Sequence, residues 1–276
     1  MLGSKPLANP CDLMYLYDGG LEGMYTCVFE SVYLRQLPMG IQPEGEAQPT
    51  LLSQRYIETD PEKARRVRDG IVKKLTPRAK ELVETVFLSC LHEKEMAILH
   101  FLLLAFQEGK QTLNRLDHPA VERLLGAERH LLGEAHLLTG FVRFSDFEGK
   151  LVATIRPKNF ILPFLAEHFM ERFSQEAFMI YDRTHSAALV YQHGRGEIVQ
   201  MEAFALPEVS EAETQYRALW KRLYETVTIE TRYNPKCRMT HMPKRYWPEM
   251  TEMQEALGEI GNYAGGRCPP GPLLKG

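Results

Sequence analysis

The sequence of 276 residues is long enough for one large or two modest domains, and its 44% hydrophobic content is typical of a chain that buries a core. The formal net charge of -3 excludes a uniformly basic protein, so any surface for a polyanion must be local. Five scattered cysteines without a Cys-x-x-Cys pair disfavour a disulfide scaffold, a zinc ribbon and a cysteine-ligated iron–sulfur cluster.

Both ends of the chain, residues 1–11 and 261–276, are predicted to be disordered, because neither shows a hydrophobic period and the second is rich in Gly and Pro. The N-terminal residues do not have the basic and then apolar pattern of a signal peptide. The longest apolar stretch, residues 98–106, is too short to cross a bilayer. We therefore predict a soluble, cytoplasmic protein with no membrane partner.

Residues 12–139 are predicted to form a mainly helical part. Two helices are predicted to begin at Asp60-Pro61 and Thr76-Pro77. The first side chain of each pair can accept a hydrogen bond from an unpaired amide of the first turn, and proline fits the first helical position. The other predicted elements are a strand over residues 13–17, a helix over 21–35, a loop over 38–49 and helices over 93–108 and 117–139.

Residues 140–250 are predicted to contain a sheet. The hydrophobic period becomes alternating at Phe141, which indicates a β-hairpin, and three further short strands follow a helix over residues 161–174. Ser210 and Glu213 form a capping box that opens a helix to Val227. We therefore predict an α+β fold: a helical N-terminal half, then an antiparallel sheet of about five strands with helices packed on one face. A single integrated domain is the alternative to two parts.

A basic and aromatic region lies between Arg217 and Trp247, where eight basic residues stand against two acidic ones. Phosphates need cations, and a base stacked on an aromatic ring contributes roughly 1 to 3 kcal/mol. The region therefore predicts a nucleic-acid contact. Its phosphate ligands would be Arg232, Lys236, Arg238, Lys244 and Arg245, and its stacking residues Tyr246 and Trp247.

Structural interpretations of the same residues remain open. Trp220 and Tyr224 recur at helical spacing with other apolar residues, which favours a place in the core. Residues 234–247 form either a ligand contact or a packed structural strap. A second basic stretch, on the helices that begin at Asp60 and Thr76, is either a solvated helix face or a second surface for phosphates.

Candidates for catalysis are fewer. His130 and His136 are six residues apart and so point to different helix faces, which disfavours a metal site. The sequence contains no phosphate-binding Gly-x-x-x-x-Gly-Lys loop, and we predict no metal and no cofactor. Acid–base chemistry would need one cleft that gathers the remaining candidates, which are Asp18, Glu22, Glu30, His136, Arg143 and Asp182.

The combination of several segments resembles the bacterial family labelled "probable DNA metabolism protein", a domain of unknown function. The resemblance spans about residues 14–247. It is carried by Tyr17-Asp18-Gly19, Thr59-Asp60, Glu134-Ala135-His136, Gly140-Phe141-Val142-Arg143-Phe144, Ile180-Tyr181-Asp182, Leu219-Trp220 and Met242-Pro243-Lys244-Arg245-Tyr246-Trp247.

The resemblance implies a role in DNA repair. Members of the family look like partners of a radical S-adenosylmethionine protein similar to spore photoproduct lyase, and some are fused to a uracil-DNA glycosylase-like domain. This sequence departs from the family pattern at Leu137 and Leu138, where Arg and Met are expected, and at Pro248, where a basic residue is expected. It also has no cysteine triplet for a radical cluster.

Three hypotheses follow. The first is an accessory protein that binds DNA through the basic C-terminal region and works with the radical enzyme. The second is a DNA-processing enzyme, such as a hydrolase or a glycosylase-like protein, with an acidic and histidine-containing cleft. The third is an adaptor that binds the radical enzyme without touching DNA. The sequence leaves open whether the protein is an enzyme.

Overall fold

A computed structural model describes residues 8–46, 50–202, 204, 210–227 and 234–253. The described chain divides into two compact units, the first ending at Leu131 and the second beginning at Leu132. The sequence predicts a boundary after Thr139, whereas the division falls inside a helix. The predicted disordered tail at 261–276 lies outside the described residues, as do residues 1–7, but the first strand begins at Asn9, within the segment predicted to be disordered.

The first unit contains a three-stranded parallel sheet, so the prediction of a mainly helical part with one strand is confirmed only in part. Strand β1 (Asn9–Tyr17) leads into helix α1 (Leu21–Leu34), and β2 (Gln36–Pro43) returns parallel to β1. Strand β3 (Ser53–Tyr56) pairs with the other edge of β1, which gives the order β2-β1-β3. Local sequence conceals these strands, because β2 contains two prolines and a glycine and all four residues of β3 are exposed.

Four helices complete the first unit or begin in it: α2 (Pro61–Lys74), α3 (Pro77–Phe87), α4 (Lys94–Glu108) and α5 (Pro119–Phe141). The predicted helix starts are confirmed. The Asp60 carboxylate accepts hydrogen bonds from the amides of Glu62 and Lys63, and the Thr76 hydroxyl accepts one from the amide of Ala79. On α4 apolar side chains are buried, including Phe101 and Leu102. Each such side chain contributes about 1.5 to 3 kcal/mol through burial.

The second unit contains a five-stranded sheet in the order β4-β5-β6-β7-β8. Its strands are β4 (Ser145–Phe147), β5 (Lys150–Ile155), β6 (Ala177–Asp182), β7 (Ala187–Gln192) and β8 (Arg195–Gln200). The predicted number of strands is confirmed. The antiparallel prediction is wrong for β5 and β6, which are parallel because helix α6 (Leu162–Arg172) makes the crossover between them. The other three strand pairs are antiparallel.

Helix α6 packs on β7 and β8, and an aromatic cluster fills part of this core. The rings of Phe144 and Phe173 lie 5.0 Å apart, and those of Phe144 and Phe169 lie 5.5 Å apart, both edge to face. Helix α7 (Glu211–Val227) begins where the capping box predicts. The Ser210 hydroxyl accepts a hydrogen bond from the amide of Glu213 at 3.1 Å.

The described chain ends with helix α8 (Pro235–His241) and two short 3-10 helices, Lys244–Glu249 and Thr251–Met253. Among the described residues, none of the helices combines the length and the apolar character that crossing a membrane requires.

Candidate nucleic-acid interface

The basic C-terminal segment is regularly folded, although it contains several prolines. The Asn234 side chain caps α8, because it accepts a hydrogen bond from the amide of Cys237 at 3.0 Å. Pro235 occupies the first turn, where a missing amide costs little. Pro243 then precedes the 3-10 helix Lys244–Glu249. The prolines therefore begin short helices instead of preventing them.

The two aromatic residues predicted to stack on bases are buried. Tyr246 and Trp247 are each 2% exposed. The Trp247 indole donates to the carbonyl of Met242 at 2.9 Å, and the Tyr246 hydroxyl donates to Glu134 at 2.8 Å. In this conformation neither ring presents a face to a base, so a stacking role does not fit them. The physical reason is that each ring buries its apolar surface while its polar atom finds an acceptor inside the unit.

The predicted phosphate ligands have different surroundings. Lys236 is exposed on α8, whereas Arg245 donates to Glu134 at 2.8 Å and retains 31% side-chain exposure. Arg238 and Lys244 both lie against the Trp247 ring, at 5.1 Å and 6.0 Å from its centroid. Arg232 lies outside the described residues.

Glu134 on α5 is the hydrogen-bond acceptor that the segments of this region share. Its side chain is buried, with 1% exposed. It accepts hydrogen bonds from the backbone amides of Lys158 and Asn159, from the Asn159 side chain, and from Arg245 and Tyr246. Burial alone would raise the pKa of Glu134, but these hydrogen bonds outweigh burial and lower the pKa. Glu134 is therefore negatively charged at neutral pH and lies against the Arg245 guanidinium group.

Three cations that the sequence did not single out lie at the carboxyl ends of the parallel strands β5 and β6. Arg156, Lys158 and Arg183 are all exposed. Glu249, from the 3-10 helix, accepts a hydrogen bond from Arg156 at 2.6 Å and lies 3.9 Å from Arg183. The helix predicted between β5 and β6 was the sequence signal for this arrangement. A helical crossover joins parallel strands, so the carboxyl ends of both strands lie at one edge of the sheet.

Glu249 thus joins the side chains of Arg156 and Arg183 to the C-terminal segment, and Glu134 joins the backbone amide of Lys158 to Arg245. We call the resulting surface the basic edge. It consists of Arg156, Lys158, Arg183, Arg238, Lys244 and Arg245.

Four of the eight cations in the second basic stretch, on α2 and α3, form ion pairs. Lys63 binds Glu30 at 2.8 Å, and Arg78 binds the buried Glu128. Arg65 and Lys80 bind acidic residues on their own helices. These pairs favour the interpretation as a solvated helix face over a second surface for phosphates.

The acidic candidates of the first unit are held by local contacts. Asp18 accepts hydrogen bonds from the Thr59 hydroxyl at 2.8 Å and from the Gly20 amide at 2.9 Å. Glu22 is exposed, and Glu30 binds Lys63 about 12 Å further along α1. Within this unit, no described hydrogen bond or ion pair joins any two of the three candidates.

The candidates of the second unit are also separate. His136 is exposed on α5. Arg143 binds the buried Glu252 through two donors, at 2.6 Å and 3.2 Å. Asp182 is fully buried, and its carboxylate forms a hydrogen bond of 2.6 Å with Nδ1 of His185. Burial raises the pKa of Asp182, although the hydrogen bonds from His185 and two backbone amides oppose the shift. Arg143 and Asp182 thus have structural partners.

No metal site emerges from these groups. Across the described ranges, no set of three or more His, Cys, Asp or Glu side chains is placed to hold a metal ion.

Helix α7 differs from the prediction that its apolar residues lie in the core. Trp220 is 43% exposed, and Tyr216 is 69% exposed. The Trp220 indole donates to Glu252 at 3.0 Å, and Arg143 lies 5.5 Å from its ring. The positions of the two tryptophans are therefore reversed relative to the sequence prediction.

A comparison with known protein families gives one finding. A family model described as domain of unknown function DUF4130 matches residues 92–252, which is more than half of the chain. The matched range contains every residue of the basic edge. No curated protein and no solved structure matches the chain.

Proposed function

We propose that this chain, which belongs to the family of domain of unknown function DUF4130, is an accessory protein of DNA metabolism or repair that binds nucleic acid through the basic edge. One observation supports this proposal above the others. Cations from separate segments of the second unit lie at one edge of its sheet, over the buried carboxylate of Glu134 and close to that of Glu249.

The chemistry of the basic edge suits phosphates. Side chains of Arg156, Arg183 and Arg245 keep 50%, 36% and 31% of their surface exposed while each contacts a carboxylate. Such contacts hold the guanidinium groups in place, so that fewer rotamers are lost when a phosphate binds. A polyanion would then release counterions from a surface that is already ordered.

The chemical step is assigned to another protein. The resemblance to the DNA metabolism family implies a radical S-adenosylmethionine protein similar to spore photoproduct lyase as the partner. The six catalytic candidates offer less support for an enzyme, because several of them bind structural partners within their own unit.

Binding across a salt series tests the proposal. We expect the full chain to retain both duplex and single-stranded DNA at low salt, with affinity falling as salt rises. The variant Lys158→Ala/Lys244→Ala should bind more weakly and reduce the slope of log K against log salt by about 2 on duplex DNA, since each phosphate contact contributes about 0.9.

A matched control separates a local surface from general charge. Lys73→Ala/Lys110→Ala removes the same charge from exposed lysines of the first unit and should leave the salt slope unchanged. Absence of DNA retention at low salt, or an equal loss in the control, would refute the proposal. Co-purification with the radical enzyme that survives nuclease treatment and the Lys158→Ala/Lys244→Ala change would instead support the adaptor hypothesis.

A further inference from the structure

The turn that follows β6 contains a buried pair of ionisable side chains, Asp182 and His185. Asp182 is fully buried, and His185 is 5% exposed. One carboxylate oxygen of Asp182 accepts hydrogen bonds from the amides of Thr184 and His185, and the other lies 2.6 Å from Nδ1 of His185. The Phe160 ring packs edge to face against the imidazole, with 5.4 Å between the centroids. These contacts fix the orientation of the imidazole ring.

The second ring nitrogen of His185, Nε2, is left for a ligand. Within the part of the chain that the structure describes, Nε2 has no hydrogen-bond partner, and it is not one of the sealed polar atoms that lack one. It therefore reaches the surface. A polar atom on a side chain as buried as this one normally has a partner, so Nε2 is the atom of the pair that a bound molecule would contact.

The pair lies at the basic edge. Asp182 is the last residue of β6 and pairs in register with Ile155, the last residue of β5. The next residues along the two strands are Arg183 and Arg156, and the Arg183 amide donates to the Ile155 carbonyl at 3.0 Å. Parallel strands are about 4.8 Å apart. His185 follows two residues after Arg183 and so shares this edge with its cations.

The charges around the turn favour an anion. The charged groups on the adjoining elements are the cations Arg156, Lys158, Arg183, Lys244 and Arg245 and the carboxylates Glu134, Glu202 and Glu249. Two of these carboxylates, Glu134 and Glu249, already accept arginine donors. The cations outnumber the carboxylates, so the electrostatic balance beside His185 suits a phosphate.

The buried pair controls whether Nε2 is a donor. One proton lies between the Asp182 carboxylate and Nδ1. Burial raises the pKa of Asp182, because a desolvated charge is unfavourable, and for the same reason the pair favours its neutral form. In the neutral form Nε2 carries a hydrogen, whether the shared proton is on oxygen or on nitrogen. When the pair loses that hydrogen at higher pH, it becomes negative and Nε2 becomes an acceptor, which a phosphate oxygen does not satisfy.

We propose that His185 is a phosphate-binding residue of the basic edge, which donates from Nε2 while Asp182 holds the ring in position. This inference rests on the proposed function, since it names a residue of the same nucleic-acid surface. Binding of a phosphate keeps the hydrogen on Nε2, so the affinity for DNA falls as the pH rises. The phosphodiesters themselves keep a constant charge over the same range.

The full chain labelled with 15N-histidine tests the contact without a substitution. We expect the Nε2 resonance of His185 to shift when a short DNA duplex is added at low salt, and to shift in the same direction with inorganic phosphate. We also expect the affinity of the wild type for the duplex, measured by fluorescence anisotropy, to fall about tenfold from about pH 6 to about pH 9. This is the lower end of what one hydrogen bond to a charged group contributes.

Variants locate the effect. His185→Asn keeps a donor towards Asp182 but has no atom at the position of Nε2, so it should bind DNA about tenfold more weakly than the wild type at pH 6 and lose the pH dependence. The control is His193→Asn, at an exposed position beyond the end of β7, at the opposite edge of the same sheet. Asparagine tolerates the positive φ of this position, and the pH dependence should be that of the wild type.

The outcomes separate this inference from the proposed function. A His185 Nε2 resonance that stays constant at saturating DNA would overturn the inference, as would a pH dependence that survives in folded His185→Asn, because a structural histidine changes stability alone. If that variant does not fold, the wild-type resonance decides. A response of Nε2 to inorganic phosphate without any retention of DNA would instead support the phosphate contact and overturn the proposed function.

Discussion

Arg245 donates a hydrogen bond to Glu134 at 2.8 Å and so joins the C-terminal 3-10 helix to α5 across 111 positions of sequence. The carboxylate of Glu134 accepts four further hydrogen bonds in the same region, including one from Tyr246 and one from the amide of Asn159. The position of the C-terminal segment, and with it much of the basic edge, thus depends on one buried charge.

We expect Glu134→Gln to lower the free energy of unfolding by about 2 to 4 kcal/mol, because a neutral amide leaves Arg245 unpaired and turns a donor towards backbone amides. Urea unfolding at pH 7 measures the change. Glu167→Gln, at an exposed position of α6, is the control and should stay within about 0.5 kcal/mol of the wild type. A similar small change for Glu134→Gln would contradict the role given to this carboxylate.

Glu134 also makes the stability depend on pH. Its pKa is lower in the folded protein than the ordinary glutamate value of about 4.3, so the unfolded chain takes up the proton first as the pH falls. The contribution is complete above that ordinary value and is lost as the pH falls through the folded value.

The difference in unfolding free energy between wild type and Glu134→Gln should therefore shrink as the pH is lowered from 5 to 3. Arg143 and the Trp220 indole give Glu252 a lowered pKa as well, despite its burial, but this shift is common to both proteins and cancels in the difference. A difference that stays constant or grows over this range would be inconsistent with a lowered pKa of Glu134.

Asp182 is expected to stabilise the turn after β6. Its carboxylate accepts hydrogen bonds from the amides of Thr184 and His185, at 2.9 Å and 3.2 Å, in addition to its hydrogen bond with the His185 ring. Asp182→Ala should lower the free energy of unfolding by about 2 to 4 kcal/mol, because buried donors lose their acceptor. Asp146→Ala removes an exposed turn aspartate that accepts one amide at 2.7 Å and should cost about 1 kcal/mol or less. Equal costs in thermal or urea unfolding would count against this assignment.

In the first unit, α1 approaches β1 closely at Gly23. A Cβ at this position would contact the Asp18 carboxylate and would lie 2.8 Å from the Thr59 hydroxyl. Gly23→Ala should therefore lower the free energy of unfolding by about 1 to 3 kcal/mol, as overpacking does.

Gly126→Ala is the matched control, since a Cβ there meets no atom within 4 Å in the described structure. It should raise the free energy of unfolding by about 0.5 to 1 kcal/mol, because alanine is the better helix former. If both alanines stabilised the protein, the close approach at Gly23 would be disproved.

Local signals were sufficient for the helix starts at Asp60, Thr76 and Ser210, because a cap depends on residues within one turn of the helix. They were insufficient for β2 and β3, whose pairing with β1 depends on segments distant in sequence. Helical spacing correctly placed Leu219 and Trp220 on one face, but spacing does not reveal whether a face is covered. Arg156 and Arg183 joined the site only because a crossover brought two strand ends together.

The central place of β1 has a consequence for synthesis of the protein. Both of its neighbours follow it in the chain, so β1 is unpaired on both sides until β2 has left the ribosome, and one side stays unpaired until residues up to Tyr56 have followed. During that interval a nascent strand that carries Leu13, Met14 and Tyr15 is exposed to other chains, and such unpaired edges promote intermolecular β-pairing. Slow elongation over the codons between β1 and β3 would lengthen this vulnerable period, which makes the rate of translation in this segment a determinant of the yield of folded protein.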